Sequence, residues 1–188
     1  MQLISKKAMD MKSLGKKVKS LDFIVFTGFF LALYVVLYLC NIVITPMIQF
    51  RLSFLAIAVA GLYGGPIMGL TVGVCGDLLA FFSTGGQGAT YFIGFTISYA
   101  LIGLLFGFLF YGSKINVTRA IIGAMIEFLV SIFLNTYWLS ILYGTSYTPL
   151  FITRLPKSLI MIVISSILLF ILLRALQSIL KRASLLHE

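Results

Sequence analysis

Three basic residues in this sequence have side chains and positions suited to binding an anion. They are Arg51, Arg154 and Lys157, and each lies at the end of an apolar run. An arginine guanidinium can hold a carboxylate through two parallel hydrogen bonds. A basic side chain at a helix end can equally extend to the lipid interface as an anchor. The three residues therefore indicate either an anion site or a set of interfacial anchors.

Two carboxylates lie inside apolar runs. A charged side chain is energetically costly there, so such a residue is by default a candidate for function. Asp77 is about two turns from the end of its run, on the side predicted for the three basic residues. It could pair with Arg51, or it could accept two parallel hydrogen bonds from an amino-substituted heterocycle. Glu127 lies near the middle of another run. We interpret Glu127 as an interhelical packing or hydrogen-bonding group rather than a ligand contact.

Amides, hydroxyls and aromatic rings accompany these charges on the same predicted side. A small-molecule site usually combines apolar walls with a few convergent polar groups, although aromatic belts also place rings at a membrane interface. The coincidence of rings, amides and positive charge favours a pocket. The further candidate residues are Gln87, Tyr91, Phe92, Thr96, Asn135, Trp138 and Tyr147.

The composition is that of an integral membrane protein. Of 188 residues, 61% are hydrophobic and 10% are charged, and the mean hydropathy is +1.12; these values lie outside the range of soluble domains. The two cysteines and the single histidine have no metal-binding or catalytic spacing. We therefore expect no metal, no cofactor and no enzyme active site. The net charge of +9 does not indicate nucleic acid, because the basic residues lie at the ends of apolar runs.

The apolar runs predict an all-α fold, a compact bundle of six transmembrane helices. Residues 1–20 are rich in lysine, so we expect a basic segment that is amphipathic or disordered, followed by one membrane domain over residues 21–188. The second run is short for a bilayer and ends at Gly65-Pro66, which predicts a tilted or partly re-entrant helix pair. The six predicted helices cover residues 22–41, 52–64, 66–83, 91–111, 118–138 and 155–175.

The distribution of basic residues predicts the orientation. If both termini are cytoplasmic, three of the 14 lysines and arginines lie outside and the other 11 lie inside, as the positive-inside rule requires. The candidate pocket then lies near the extracellular face. The glycine-rich loop 83–90 lies on the same side, where it could gate the pocket or serve only as a flexible connection.

Two further patterns concern partners. Gly28, Ala32 and Val36 are four residues apart on the first helix, a spacing that lets another helix approach closely, either from this chain or from another subunit. The chain contains no G-x-x-x-x-G-K-S/T loop for ATP. We therefore expect that energy for uphill uptake comes from a partner.

Several motifs carry a resemblance to a known family. They are RLSF at 51–54, GGPIMG at 64–69, GD at 76–77, YFIGFTIS at 91–98, Gly103 with Gly107, NTYW at 135–138 and RLPK at 154–157. Over about residues 23–173 the chain resembles the substrate-binding S components of energy-coupling factor (ECF) vitamin transporters, and most of all the folate-specific ones. The resemblance implies six helices, a vitamin site open to the outside and docking through the first helix. It also implies assembly with a transmembrane coupling subunit and two cytoplasmic ATPases in a bacterial cell membrane.

Together, these features predict a binding subunit that captures folate outside the cell and delivers it inward, with ATP bound only by its partners. Asp77 or Asn135 would contact the pterin, aromatic rings would stack on the ligand, and the three basic residues would pair with its glutamate tail. The main alternative is an S component for pantothenate, riboflavin or thiamine. A small membrane enzyme acting on lipid head groups is less favoured.

Overall fold

The computed structural model describes residues 21–40, 42–45, 48–84 and 91–185. Within these residues, five helical spans are long and apolar enough to cross a membrane, which confirms the expected helical membrane fold. The elements are α1 (Leu21–Leu39), β1 (Ile42–Thr45), β2 (Ile48–Phe50), α2 (Phe54–Thr84), α3 (Ile93–Phe110), α4 (Val117–Leu129), a π-helical turn (Val130–Leu134), α5 (Asn135–Tyr143) and α6 (Tyr147–Leu185).

A short β-hairpin joins α1 to α2, and the all-α prediction missed it. β1 and β2 are antiparallel, with Ile42 opposite Phe50 and Val43 opposite Gln49. The β1 sequence IVIT consists of β-branched residues, which favour extended backbone. The all-α prediction therefore holds for the membrane spans but is wrong for this connection.

The predicted second and third helices are two arms of α2, separated by a kink. Gly65 has φ 79° and ψ −164°, a backbone conformation that is accessible only to glycine. Pro66 follows it and has no N–H to donate, so the helical hydrogen bonding is interrupted at this point. The described residues therefore contain five spans by length, one of which is divided in two.

Contacts with α3 show that the two arms of α2 run in opposite directions. Arg51, just before the first arm, donates a 3.0 Å hydrogen bond to the hydroxyl of Tyr99. The kink lies at the other end of α3, where Pro66 packs against Gly107. Asp77, in the second arm, is again near the start of α3, where it accepts a hydrogen bond from Thr96. The chain reverses at Gly65, in agreement with the predicted re-entrant pair.

Glycines bring the second arm of α2 against α3 at backbone distance. A Cβ on Gly69 would collide with the carbonyl of Gly103, and a Cβ on Gly73 would collide with the carbonyl of Tyr99. This is the close helix approach that small residues four apart permit. It fixes the register that places Asp77 opposite the first turn of α3.

The long span from Val117 to Tyr143 contains a π-helical turn at Val130–Leu134. Such turns are rare and are often found at functional sites. Glu127, Ser131 and Asn135, each four residues apart, all line one cavity. An α-helix has 3.6 residues per turn, so residues at this spacing would drift around its axis. The wider π turn keeps the three side chains on one side.

The last helix begins earlier than predicted. α6 starts at Tyr147 rather than near residue 155 and includes Pro156 in its interior. Proline usually interrupts a helix because it has no N–H to donate, but the helix continues through Pro156 here. Arg154 and Lys157 therefore lie within a helix, one turn apart, and not at its outer end.

Candidate ligand-binding site

A cage of aromatic rings surrounds the guanidinium of Arg51. Its carbon lies 5.7 Å from the ring centre of Tyr38, 6.0 Å from that of Phe95 and 5.9 Å from that of Tyr99. Cation–π attraction at these distances is favourable. Burial disfavours the charge, but the neighbouring tyrosines outweigh it and raise the pKa of Arg51 above its usual value. Arg51 is thus a fixed positive charge between α1 and α3.

The carboxylate of Asp77 is buried and hydrogen bonded. Thr96 donates a 2.7 Å hydrogen bond to its Oδ2 atom, and the hydroxyl of Tyr91 lies 3.0 Å from the Thr96 hydroxyl. This chain of groups joins α2 to the start of α3. It orients the carboxylate towards a small cavity.

That cavity has a volume of about 30 Å³ and combines one carboxylate with several rings. We call it the Asp77 cavity. Phe81 and Tyr91, which both line it, have ring centres 5.2 Å apart. A carboxylate between aromatic walls suits a flat heterocycle with N–H donors, because the rings can stack while the oxygens accept. Its lining residues are Tyr38, Arg51, Asp77, Phe81, Tyr91, Phe92 and Phe95.

A second cavity, of about 60 Å³, is lined by three basic residues. We call it the cationic cavity. It contains Arg51, Arg154 and Lys157 together with one carboxylate, Glu127, and the amide of Asn135. Positive charge in a partly enclosed space favours an anionic group.

Two buried polar atoms in the cationic cavity have no hydrogen-bond partner among the described residues. They are Nε of Arg154 and Oδ1 of Asn135. Arg154 is buried, and its Nη1 atom donates to the hydroxyl of Thr136 at 3.2 Å. A buried polar atom without a hydrogen-bond partner costs free energy. A ligand that forms hydrogen bonds with these two atoms would remove this cost.

The two cavities share a wall. Arg51 and Phe95 line both of them. These two side chains therefore separate the aromatic residues of the Asp77 cavity from Arg154 and Lys157 in the cationic cavity. Both volumes are far below the roughly 300–1,000 Å³ of typical ligand pockets. A vitamin-sized ligand would therefore have to displace part of this wall.

Most of the predicted site residues converge. Arg51, Asp77, Tyr91 and Phe92 line the Asp77 cavity, and Asn135, Arg154 and Lys157 line the cationic cavity with Arg51. Thr96 lies behind Asp77 as its hydrogen-bond donor. Gln87 and most of loop 83–90 lie outside the described residues.

Two predicted residues do not line either cavity. Trp138 packs on Phe92, with ring centres 5.8 Å apart, and donates a 3.1 Å hydrogen bond to Ser98. It therefore supports the wall of the Asp77 cavity from behind. Tyr147 packs on Phe151, with ring centres 5.8 Å apart. The role of Trp138 and Tyr147 as stacking partners of a ligand stays a prediction.

Residues that were not predicted as ligand contacts also line the cationic cavity. Glu127, interpreted as a packing group, is among them with Ser131 and Tyr99. The spacing of four from Glu127 to Ser131 to Asn135 was a usable signal. Residues four apart lie on the same face of a helix, and Asn135 was already a predicted ligand residue. The π-helical turn that makes this face continuous has no clear sequence signature.

The predicted docking residues lie on the outer surface. Gly28, Ala32 and Val36 are exposed, and a Cβ added to Gly28 would meet nothing within 4 Å. The opposite face of α1 is buried, through residues such as Tyr34 and Tyr38. Among the described residues, no other helix therefore covers this face of α1.

Other features of the described residues lie apart from this site. A third cavity, of about 1,020 Å³, is formed by residues 112–118 and part of α6 and contains none of the predicted ligand residues. Because it lies at the far end of the bundle, we do not assign the predicted ligand to it. No group of three metal-ligating side chains occurs among the described residues.

Comparisons with known proteins agree with the resemblance seen in the motifs. The family described as ECF transporter, substrate-specific component, matches residues 22–173. The folate transporter FolT of Clostridium novyi (strain NT) is 32% identical over 154 residues, which are 81% of this chain and 88% of that protein. A crystal structure of FolT bound with folic acid superposes with a TM-score of 0.73 at 23% identity, covering 80% of this chain and 92% of that one, so the fold is shared. The chain therefore belongs to the substrate-specific components of ECF transporters.

Proposed function

We propose that this chain captures folate outside the cell with high affinity and delivers it inward as the substrate-binding subunit of an ECF importer. The observation that carries the proposal is the shared wall between the Asp77 cavity and the cationic cavity. Folate has complementary chemistry in the same order along its length. It has a flat pterin with N–H donors at one end and two carboxylates at the other.

Each part of folate has a matching group. The pterin would donate to Asp77 and stack beside Tyr91 or Phe92. The benzoyl ring would pass the shared wall, and the glutamate tail would pair with Arg154 and Lys157. The unpartnered Nε of Arg154 supports this direction, because a carboxylate is its preferred acceptor.

The membrane arrangement supports an importer subunit. With the reversal at Gly65, α2 counts as two membrane segments and the bundle has six. The ligand site would lie near the extracellular face, with both termini cytoplasmic in a bacterial membrane, because this orientation places most basic residues inside. Loop 83–90 remains a candidate gate.

Uptake would depend on partners. A transmembrane coupling subunit would dock on the exposed face of Gly28, Ala32 and Val36, where small side chains allow a helix to approach. Two cytoplasmic ATPases would bind the ATP, and the chain itself would be a binding subunit rather than an enzyme. Membership of the ECF family supports this assembly.

Other vitamins fit the site less well. Thiamine is a cation, which three basic residues would repel. Riboflavin has no carboxylate for Arg154 and Lys157, and pantothenate has no heterocycle for the Asp77 cavity. The folate transporter at 32% identity also favours folate.

A calorimetric titration of the purified chain in detergent tests the proposal. We expect tight binding of folate at one site per chain, and much weaker binding of thiamine, riboflavin and pantothenate. Binding of another vitamin in preference to folate would replace the ligand but keep the importer function. A folded sample that binds none of the four would contradict the proposed function.

A further inference from the structure

A large cavity lies at the end of the bundle opposite the ligand site. It has a volume of about 1,020 Å³ and is formed by residues 112–118, between α3 and α4, and by the polar end of α6. We call it the interfacial cavity. The span that begins at Val117, beside this cavity, lines the cationic cavity from Glu127 to Tyr143. The two cavities are therefore separated by about 15 Å along this helix.

The interfacial cavity is positively charged. Lys114 and Arg174 line it, and no aspartate or glutamate is among its lining residues. Within the described part of the chain, neither basic residue forms an ion pair with a carboxylate. Asp22 begins α1 at this same end, where Phe26 packs on Tyr63, but Asp22 does not line the cavity. The local field therefore favours an anion.

Hydrogen bonds hold one wall of the cavity in shape. The side-chain amide of Gln177 donates to the carbonyl of Ser113 at 2.8 Å and accepts from the backbone N–H of Ile115 at 3.0 Å. These two bonds join the α3–α4 loop to α6. Lys114 lies between the two bonded loop residues, so its backbone is fixed beside Arg174.

The second basic side chain is also oriented. The guanidinium carbon of Arg174 lies 5.3 Å from the ring centre of Phe170, a cation–π contact that restricts the arginine. Phe170 and Leu62 add an apolar wall to the cavity. The cavity therefore has polar, positive groups and apolar surface side by side.

The boundaries of the membrane spans place this cavity at the lipid–water interface. One span ends at Phe110, the next begins at Val117, and the last ends at Ile179. The cavity lies among these ends, at the depth of lipid head groups. Basic pockets between membrane helices at this depth are suited to anionic lipid head groups.

We propose that the interfacial cavity binds the head group of an anionic phospholipid. Lys114 and Arg174 contact the phosphate, the hydroxyl of Thr118 and neighbouring polar groups line its surroundings, and the acyl chains follow the apolar wall into the bilayer. The lysine-rich segment 1–20 is excluded as the occupant by its like charge. This site is independent of the proposed folate site, so either can fail without the other.

Native mass spectrometry of the full chain in detergent, titrated with phosphatidylglycerol or phosphatidylcholine, tests the proposal. We expect phosphatidylglycerol to bind more tightly than phosphatidylcholine. The double variant Lys114→Gln, Arg174→Gln should weaken phosphatidylglycerol binding by about 30-fold, because each basic residue near a lipid surface strengthens binding about fivefold. The matched control Lys16→Gln, Lys19→Gln removes the same charge elsewhere and should retain binding. Thermal unfolding in detergent reports whether each variant is folded.

Three results would overturn the proposal. They are equal retention of phosphatidylglycerol by the double variant and the control, equal binding of the two lipids, and competition by soluble glycerol phosphate at the same concentration as the lipid. The last result would assign the cavity to a free phosphate compound. If the double variant does not fold, Lys114→Gln alone provides the test, because Lys114 is an exposed loop residue. This variant should weaken phosphatidylglycerol binding by about fivefold, and no loss would contradict the site.

Discussion

Thr96 donates a 2.7 Å hydrogen bond to the buried carboxylate of Asp77, across the contact between α2 and α3. The two residues are 19 apart in sequence, and they meet because the second arm of α2 packs on α3 through glycines. The hydrogen bond fixes one carboxylate oxygen. The position of the Asp77 carboxylate beside its cavity therefore depends on helix packing.

Asp77→Asn should weaken folate binding by about tenfold to a hundredfold, since a hydrogen bond to a charged group contributes about 1.5–3 kcal/mol. The amide keeps the shape but removes the charge and one acceptor. Calorimetry would measure the loss. p-Aminobenzoylglutamate, which has no pterin, should bind Asp77→Asn and the unchanged chain alike. Thr71→Val is the control, because Thr71 bonds only within α2; an equal loss there would contradict the role of Asp77.

Arg154→Ala should weaken folate more than pteroate, which lacks the glutamate tail. The reason is that Arg154 is buried beside Lys157 in the cationic cavity, and its loss removes a charged partner for the tail. Competition between the two ligands in one binding assay would measure the ratio. Equal losses for both ligands would mean that Arg154 acts on stability or on another part of the ligand.

Glu127→Gln should increase the preference for ligands with additional carboxylates. Glu127 is the one carboxylate in the lining of the cationic cavity, so its removal should favour pteroyl-γ-diglutamate over folate by about tenfold on electrostatic grounds. Lys157→Gln should have the opposite effect, and the double variant should return towards the original ratio. If the ratio is unchanged in both single variants, the tail does not lie in this cavity.

Gly103→Ala should destabilise the isolated chain by about 1–3 kcal/mol, the usual cost of overpacking. Its new methyl group would collide with the backbone of Gly69, which cannot move without separating α2 from α3. Thermal unfolding in detergent would measure the change. Gly28→Ala is the matched control, since a Cβ there meets nothing within 4 Å. Similar losses in the two variants would contradict the close-packing argument.

Gly28→Leu should separate binding from transport. The exposed position tolerates a larger side chain in the isolated chain, so folate affinity should not change. Uptake by cells or vesicles that contain the coupling subunit and ATPases should fall, because the leucine obstructs helix approach. Normal uptake would exclude this face of α1 as the docking surface.

Some features of the site were accessible from sequence because they follow from local chemistry. A carboxylate in an apolar run, as at Asp77, is costly enough to indicate function, and Arg154 with Lys157 gave a sign of an anionic ligand. The glycines at 69, 73 and 103 show their role only in the structure, where α2 and α3 meet at backbone distance. Tyr147 shows the limit of this reasoning, since an aromatic residue near an interface can pack either on a ligand or on a neighbouring ring.

The sequence by itself predicted the helical membrane fold and a site with positive charge and aromatic walls, because hydropathy, charge and side-chain type act residue by residue. Only the tertiary structure decided the hydrogen bond between Asp77 and Thr96, the meeting of Glu127 with Arg154 and Lys157 in one cavity, and the packing of Trp138 on Phe92. These features depend on contacts between residues distant in sequence. Their free energies arise only when the helices pack, so no local pattern records them.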